Sequence, residues 1–107
     1  MRIIELDARH WSNVLDFYDA LLPAIGAPDW HGRSPDALLD SMIWGGINSI
    51  EPPYRIRISG TKGIPKDVLD HIELMKELVI EHRAECHARQ GRDVDISLEI
   101  ADEISHQ

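Results

Sequence analysis

The feature that most constrains the fold is a strict alternation of apolar and polar residues at positions 93–100. The apolar members are Val94, Ile96, Leu98 and Ile100. A second alternation covers residues 54–58, where tyrosine and isoleucine alternate with arginine. A period of two is typical of a strand with one buried and one solvent-facing side. Both segments are therefore predicted to be strands of a sheet that is covered on one face only.

A long helical pattern separates these two strands. Its apolar stripe consists of Val68, Ile72, Met75, Val79, His82 and Cys86. Pro65 suits the start of such a helix, and Gly91 suits its end. Because a helix carries the chain back to the same end of the sheet, the strands on either side of it are predicted to be parallel.

The first half of the chain predicts one more strand and two more helices. Residues 4–7 alternate as a short strand, and Asn13 is placed to cap a helix that Pro23 kinks or ends. Ser34-Pro35 starts a second helix, which Gly45-Gly46 stops. The order of strands and helices predicts an α/β fold, a two-layer sandwich with a small, mostly parallel sheet and helices on one face.

Length and charge limit the organisation and the partners. At 107 residues, the chain accommodates one core, so 1–107 is predicted to be a single domain with a frayed tail at 101–107. Its net charge of -8 repels nucleic acid and anionic lipid and favours a basic protein partner. No apolar run resembles a signal peptide or a membrane span, and the single cysteine suits a reducing compartment. We therefore expect a cytoplasmic protein that is monomeric when free.

Two aspartates distinguish the predicted helix at residues 34–44. Asp36 and Asp40 are four residues apart and therefore adjacent, and the helix contains no lysine or arginine. Like charges at this spacing cost about 0.2 to 0.5 kcal/mol. Spacing alone is consistent with either a solvated acidic face or a binding face.

The residues around this pair resemble the barstar-like family of intracellular ribonuclease inhibitors. They read Ala-Pro-Asp-Trp-His-Gly-Arg-Ser-Pro-Asp-Ala-Leu-Leu-Asp over positions 27–40. In the family, a proline, an acid, an aromatic and a glycine precede a helix that reads Asp-Ala-Leu-Trp-Asp. The resemblance implies a three-stranded parallel sheet and a loop and acidic helix that enter the active site of a basic nuclease. It implies neither enzymatic activity nor a cofactor.

The resemblance also implies which residues contact the partner. Trp30 takes the place of a loop aromatic that stacks on the enzyme, and Gly32 matches a glycine that permits close approach. Asp36 and Asp40 match the two helix aspartates, of which Asp40 is the principal mimic of an RNA phosphate. The implied contact residues are Trp30, His31, Gly32, Ser34, Asp36, Leu39, Asp40 and Glu81.

Two residues depart from the family pattern. Leu39 stands where the family has a tryptophan, and Arg33 adds a positive charge at the rim of the acidic surface. We therefore expect the target to be a nuclease other than barnase. The sequence leaves open whether the target is a secreted ribonuclease or a competitor's toxin domain, and whether it cleaves RNA or DNA.

Two functions of other classes also fit the residues. A small metal-dependent hydrolase could use Asp36, Asp40 and His31 as ligands or as an acid–base pair, although no known metal motif is present. A regulatory protein-binding module without a nuclease target would also fit, since a fold does not fix a partner.

The positions of the cysteine and the tryptophans in the pattern indicate their roles. Cys86 lies on an apolar helical stripe, which favours a buried structural role over a nucleophile. Trp11 and Trp44 are predicted to be core residues. Trp30 differs from them, because a large aromatic in a loop bounded by proline and glycine is placed as an interface anchor would be.

Overall fold

Three strands and three α-helices follow one another in the order that the sequence predicts. A computed structural model describes residues 1–101 of the chain. Its elements are β1 (Arg2–Asp7), α1 (Val14–Ala24), α2 (Pro35–Leu39), a π-helix (Asp40–Gly45), β2 (Tyr54–Ser59), α3 (Lys66–Gln90) and β3 (Ile96–Ile100). The predicted frayed tail at 101–107 lies outside the described residues except for Ala101.

The sheet has the order β1-β2-β3, with both pairs of neighbours parallel. Its inner face is apolar at the centre, where Ile56 lies between Ile4 and Leu98. On the outer face the Nε atom of Arg57 lies 3.1 Å from a carboxylate oxygen of Glu99. The inner residues of β2 and β3 are buried, those of β1 become buried toward Leu6, and outer residues remain partly or fully exposed, so the predicted one-sided α/β packing is confirmed.

The first and last helices agree closely with the sequence. In α1 the Asn13 side chain accepts from the backbone N–H of Asp16, whose carboxylate accepts from the N–H of Asn13. Pro23 lies in the last turn of α1, where it cannot donate the hydrogen bond of that turn, and the helix ends one residue later at Ala24. The stripe of α3 faces the core, and Cys86 is buried as predicted.

A partly buried polar contact joins α1 to α3. The hydroxyl of Tyr18 lies 2.7 Å from Nε2 of His71. Burial raises the pKa of Tyr18 to about 12, so the phenol keeps its proton at neutral pH and donates it to the imidazole. Burial also lowers the pKa of His71, which favours the neutral ring that accepts this hydrogen bond.

The second helix differs from the prediction of one α-helix over residues 34–44. Only Pro35–Leu39 is α-helical, and a π-helix continues from Asp40. Gly45 allows this wider turn, because a Cβ atom there would lie 2.8 Å from the carbonyl oxygen of Asp40. Gly46 ends it with φ 78°, a conformation that glycine adopts without steric cost. Within residues 1–101, the helices are too short or too polar to span a membrane.

Candidate functional site

A surface groove of about 460 Å³ lies between the loop before α2 and the π-helix. Its lining includes Trp30, His31, Gly32, Asp40, Trp44 and Ile47. The volume lies within the range of about 300 to 1,000 Å³ that is usual for ligand-binding clefts. The groove therefore brings the predicted loop residues together with one of the two predicted aspartates.

Large apolar side chains are exposed at this groove. Trp30 is 76% exposed, and Ile47 is 48% exposed. The loop that carries Trp30 is closed by a hydrogen bond of 3.0 Å from the N–H of His31 to the carbonyl of Pro28. Exposed aromatic residues at the rim of a concave surface are characteristic of contact sites.

The two aspartates are both exposed but differ in position. Asp40 lines the groove, whereas Asp36 lies one helical turn earlier, in the first turn of α2. Ser34 caps that helix by accepting a hydrogen bond of 3.2 Å from the N–H of Ala37. Neither aspartate forms an ion pair with any residue of the described chain. Their negative charges therefore remain available at the surface.

His31 supports the site from inside. It is 8% exposed, its Nδ1 lies 2.7 Å from the carbonyl oxygen of Gly32, and its Nε2 lies 2.7 Å from Oγ of Ser41. Because a carbonyl oxygen only accepts, Nδ1 must donate. The ring therefore ties the loop to the π-helix at the residue that follows Asp40. Both ring nitrogens have protein partners, so His31 supports the groove that it lines, and its contact with a partner stays a prediction.

Leu39 lies in the core and not on the surface of the free protein. Its side chain is 3% exposed and belongs to the hydrophobic core together with Leu38. It lies on the apolar face of α2, which packs into the core, so almost none of its surface is exposed in the free protein. Leu39 does not line the groove and its contact with a partner stays a prediction, whereas Gly32 is exposed and lines the groove.

Trp44 is a groove residue that the sequence interpretation placed in the core. It is only partly buried, and its indole N–H donates to Nδ1 of His82 at 3.1 Å. The guanidinium carbon of Arg89 lies 5.8 Å from the centre of the indole ring. Both partners belong to α3, so this helix holds one wall of the groove. The occurrence of the polar His82 within an otherwise apolar stripe was the available signal for such a contact.

The remaining predicted positions lie at the edges of the site. Glu81 is exposed on α3, one residue before His82, and its contact with a partner stays a prediction. Arg33 turns toward α1, where its Nε lies 3.0 Å from a carboxylate oxygen of Asp19. This pairing offsets the positive charge that the sequence placed at the rim.

The arrangement of side chains in the groove gives little support to the alternative of a metal-dependent hydrolase. In the part of the chain that the structure describes, no group of three or more histidine, cysteine, aspartate or glutamate side chains is placed to hold a metal ion. His31, the third member of the suggested set, has both nitrogens within hydrogen-bonding distance of protein atoms. The geometry instead presents a carboxylate beside exposed aromatic surface, which suits binding.

Comparison with known proteins gives a family match over almost the whole chain. A family model described as "Barstar (barnase inhibitor)" matches residues 1–99. The match contains all the helices and every strand residue except Ile100, so it is not confined to the loop and acidic helix. No curated protein matches the sequence.

Proposed function

The chain belongs to the barstar family, and on this basis we propose that it is an intracellular inhibitor that blocks the active site of a basic ribonuclease. The observation that carries the proposal is the carboxylate of Asp40. It is exposed in a groove beside Trp30 and has no ion-pair partner among the described residues. An unpaired carboxylate that is surrounded by apolar surface is suited to bind a cationic site on a partner protein.

The mechanism is mimicry of a phosphate group. A ribonuclease binds the RNA phosphate with cationic side chains, and the same donors form short charge-assisted hydrogen bonds with a carboxylate. Asp40 occupies that site, while Asp36 adds a second negative charge one turn away. Trp30 covers the mouth of the active site and excludes water, which strengthens the electrostatic contact. Substrate and inhibitor thus compete for the same groups.

The proposed function also includes a cellular location, an oligomeric state and a class of partner. The protein acts as a cytoplasmic monomer without a cofactor, and it has no catalytic activity of its own. Its net charge of -8 complements a basic enzyme and steers the two proteins together. The partner is a secreted ribonuclease or a toxin domain against which the protein confers immunity.

Inhibition of RNA cleavage tests this function. The purified protein is titrated into a panel of basic ribonucleases of the barnase type, together with the Asp40→Asn and Asp67→Asn variants. Asp67 is a matched control, because it is exposed, has no ion pair within residues 1–101 and lies about four turns from His82 on α3.

The wild type and Asp67→Asn should inhibit at least one enzyme of the panel, whereas Asp40→Asn should not. Absence of inhibition across the panel would contradict the proposal. So would a metal-dependent hydrolase activity of the protein itself that disappears in Asp40→Asn.

A further inference from the structure

We infer that Asn48 is a positioning residue, which fixes the two walls of the groove relative to each other through the hydroxyl of Ser41. The inference rests on the proposed function and adds to it a residue that lies outside the groove. Asn48 is 7% exposed and does not line the groove, whereas Ser41 lines it and directly follows Asp40. Asn48 therefore acts on the groove through Ser41.

The hydroxyl oxygen of Ser41 joins three segments of the chain at one buried point. It lies 2.7 Å from Nε2 of His31 on the loop and 3.1 Å from the carbonyl oxygen of Leu38 on α2. From the segment after the π-helix, Nδ2 of Asn48 donates to it at 3.1 Å. Because the loop and the π-helix form the two walls of the groove, this oxygen sets their separation.

The hydrogen-bonding capacity of Ser41 makes its contact with Asn48 the constant one. A serine hydroxyl has one proton and two lone pairs, so three partners use it fully. The proton goes to Nε2 of His31 when the ring is neutral, and to the carbonyl oxygen of Leu38 when Nε2 itself donates. The amide of Asn48 donates in both arrangements. It therefore holds the oxygen of Ser41 whichever proton arrangement the imidazole adopts.

The segment that carries Asn48 is anchored to the end of α1. The backbone N–H of Ser49 donates to the carbonyl of Gly26 at 3.0 Å, and that of Ile50 donates to the carbonyl of Ile25 at 3.1 Å. Gly26 has φ 71°, and a Cβ atom there would overlap Oγ of Ser49, so this close approach requires glycine. Asn48 thus presents its amide from a backbone that is fixed on α1.

The carbonyl oxygen of the Asn48 side chain argues against a role in stability alone. This Oδ1 atom is buried and has no hydrogen-bond partner among residues 1–101. A buried acceptor without a partner lowers stability. A leucine of similar size would remove that cost, and Ser41 would keep two of its three partners. The donor that Asn48 supplies to Ser41 therefore accounts for an amide at this position.

Asn48→Leu separates positioning from stability. Its free energy of unfolding in urea should equal or exceed that of the wild type, because the unpartnered carbonyl is removed. Ser41→Ala is a second variant, which removes the hydroxyl itself and should lower stability. Ile58→Val is the control for stability alone, because Ile58 is buried in the central strand and does not line the groove. Its loss of one buried methyl group lowers stability by a comparable amount.

The free protein is tested by measurement of NMR relaxation at the backbone nitrogens. In Asn48→Leu and Ser41→Ala, the order parameters of Gly32 and Asp40 should fall from about 0.85, which is usual for rigid backbone, toward about 0.6. They should stay unchanged in Ile58→Val. Unchanged order parameters in Asn48→Leu would overturn the inference, and Ser41→Ala decides in the same way if Asn48→Leu does not fold.

The complex is tested by calorimetric titration with the ribonuclease that the wild type inhibits. Asn48→Leu should weaken binding about threefold to tenfold, the change that corresponds to one hydrogen bond. The physical reason is that order lost from the free groove must be restored on binding. Ser41→Ala should weaken binding about tenfold or more, and Ile58→Val should leave it unchanged. Full affinity of Asn48→Leu, or an equal loss in Ile58→Val, would overturn the inference.

The two measurements separate this inference from the proposed function. If the protein inhibits no ribonuclease, the proposed function fails, and the relaxation measurements still decide whether Asn48 fixes the groove. If Asn48→Leu inhibits a ribonuclease as strongly as the wild type does, only the inference fails.

Discussion

The indole N–H of Trp44 donates to Nδ1 of His82 across 3.1 Å and so connects the π-helix to α3. The two residues are 38 positions apart in the chain. Because Nδ1 is the acceptor, the ring must carry no proton on that nitrogen. The wall of the groove therefore depends on a helix that does not itself line the groove.

Replacing His82 tests this support. We expect His82→Leu to lower the free energy of unfolding by about 1 kcal/mol, because the indole N–H loses its acceptor. His82→Gln, whose amide oxygen still accepts, should recover part of the loss. Urea denaturation measures both variants, and equal stability of His82→Leu and wild type would show that the hydrogen bond contributes nothing.

Replacing Asp40 separates binding from folding. We expect Asp40→Ala to weaken the nuclease complex by about 2 to 5 kcal/mol, because the cations that it paired with are left buried and unsatisfied. Thermal stability should stay the same or rise slightly, since the change removes repulsion with Asp36 and introduces a strong helix former.

The matched variant is Asp36→Ala, which lies outside the groove lining and should affect binding less. For each variant, calorimetric titration measures binding to the nuclease and a melting curve measures thermal stability. A large fall in the melting temperature of Asp40→Ala would mean that the aspartate is structural.

Salt should slow the association. The net charge of -8 attracts a basic partner over long distances, and added salt screens that attraction. Stopped-flow measurements at increasing ionic strength should show a steep fall in the association rate constant and a smaller change in the dissociation rate constant. An association rate that does not respond to salt would favour an apolar interface instead.

Replacing Gly45 tests whether the π-helix tolerates a side chain at this position. In Gly45→Ala the new Cβ would lie 2.8 Å from the carbonyl oxygen of Asp40, a backbone atom that cannot rotate away. We expect a loss of about 1 to 3 kcal/mol in unfolding free energy, the usual cost of overpacking, together with weaker nuclease binding.

Gly63→Ala is the control, because no atom lies within 4 Å of its added Cβ. Equal stability of the two variants in urea denaturation would mean that the π-helix adapts without strain.

The sequence predicted the elements well where one physical signal dominated. Alternation marked β2 and β3, and a proline and a glycine marked the ends of α3, because burial of one face and chain termination act locally. The second helix was predicted less well. Helical periodicity does not distinguish an α-turn from a π-turn over six residues, so the close approach at Gly45 was visible only in three dimensions.

The site was harder to predict for a related reason. Asp40 and Trp30 lie in one short segment, and the resemblance of that segment to the barstar-like family implied that they share one surface. Trp44 required the contact with His82 on α3, which depends on how two helices pack. The burial of His31 and Leu39 likewise depends on the orientation of α2 and its loop against the core, which local sequence does not specify.

Acid should destabilise the protein through His71. In the folded state, burial lowers the pKa of His71, and the ring accepts the hydroxyl of Tyr18 at 2.7 Å. The unfolded chain binds the proton at the ordinary value near 6.5, so it binds more protons than the folded chain does as the pH falls through that value. The contribution of the neutral His71 to the free energy of unfolding should therefore be fully present above about pH 7 and should decline toward pH 5.5. Urea denaturation at three pH values should show a smaller decline for His71→Asn than for wild type, and identical declines would remove His71 as a cause.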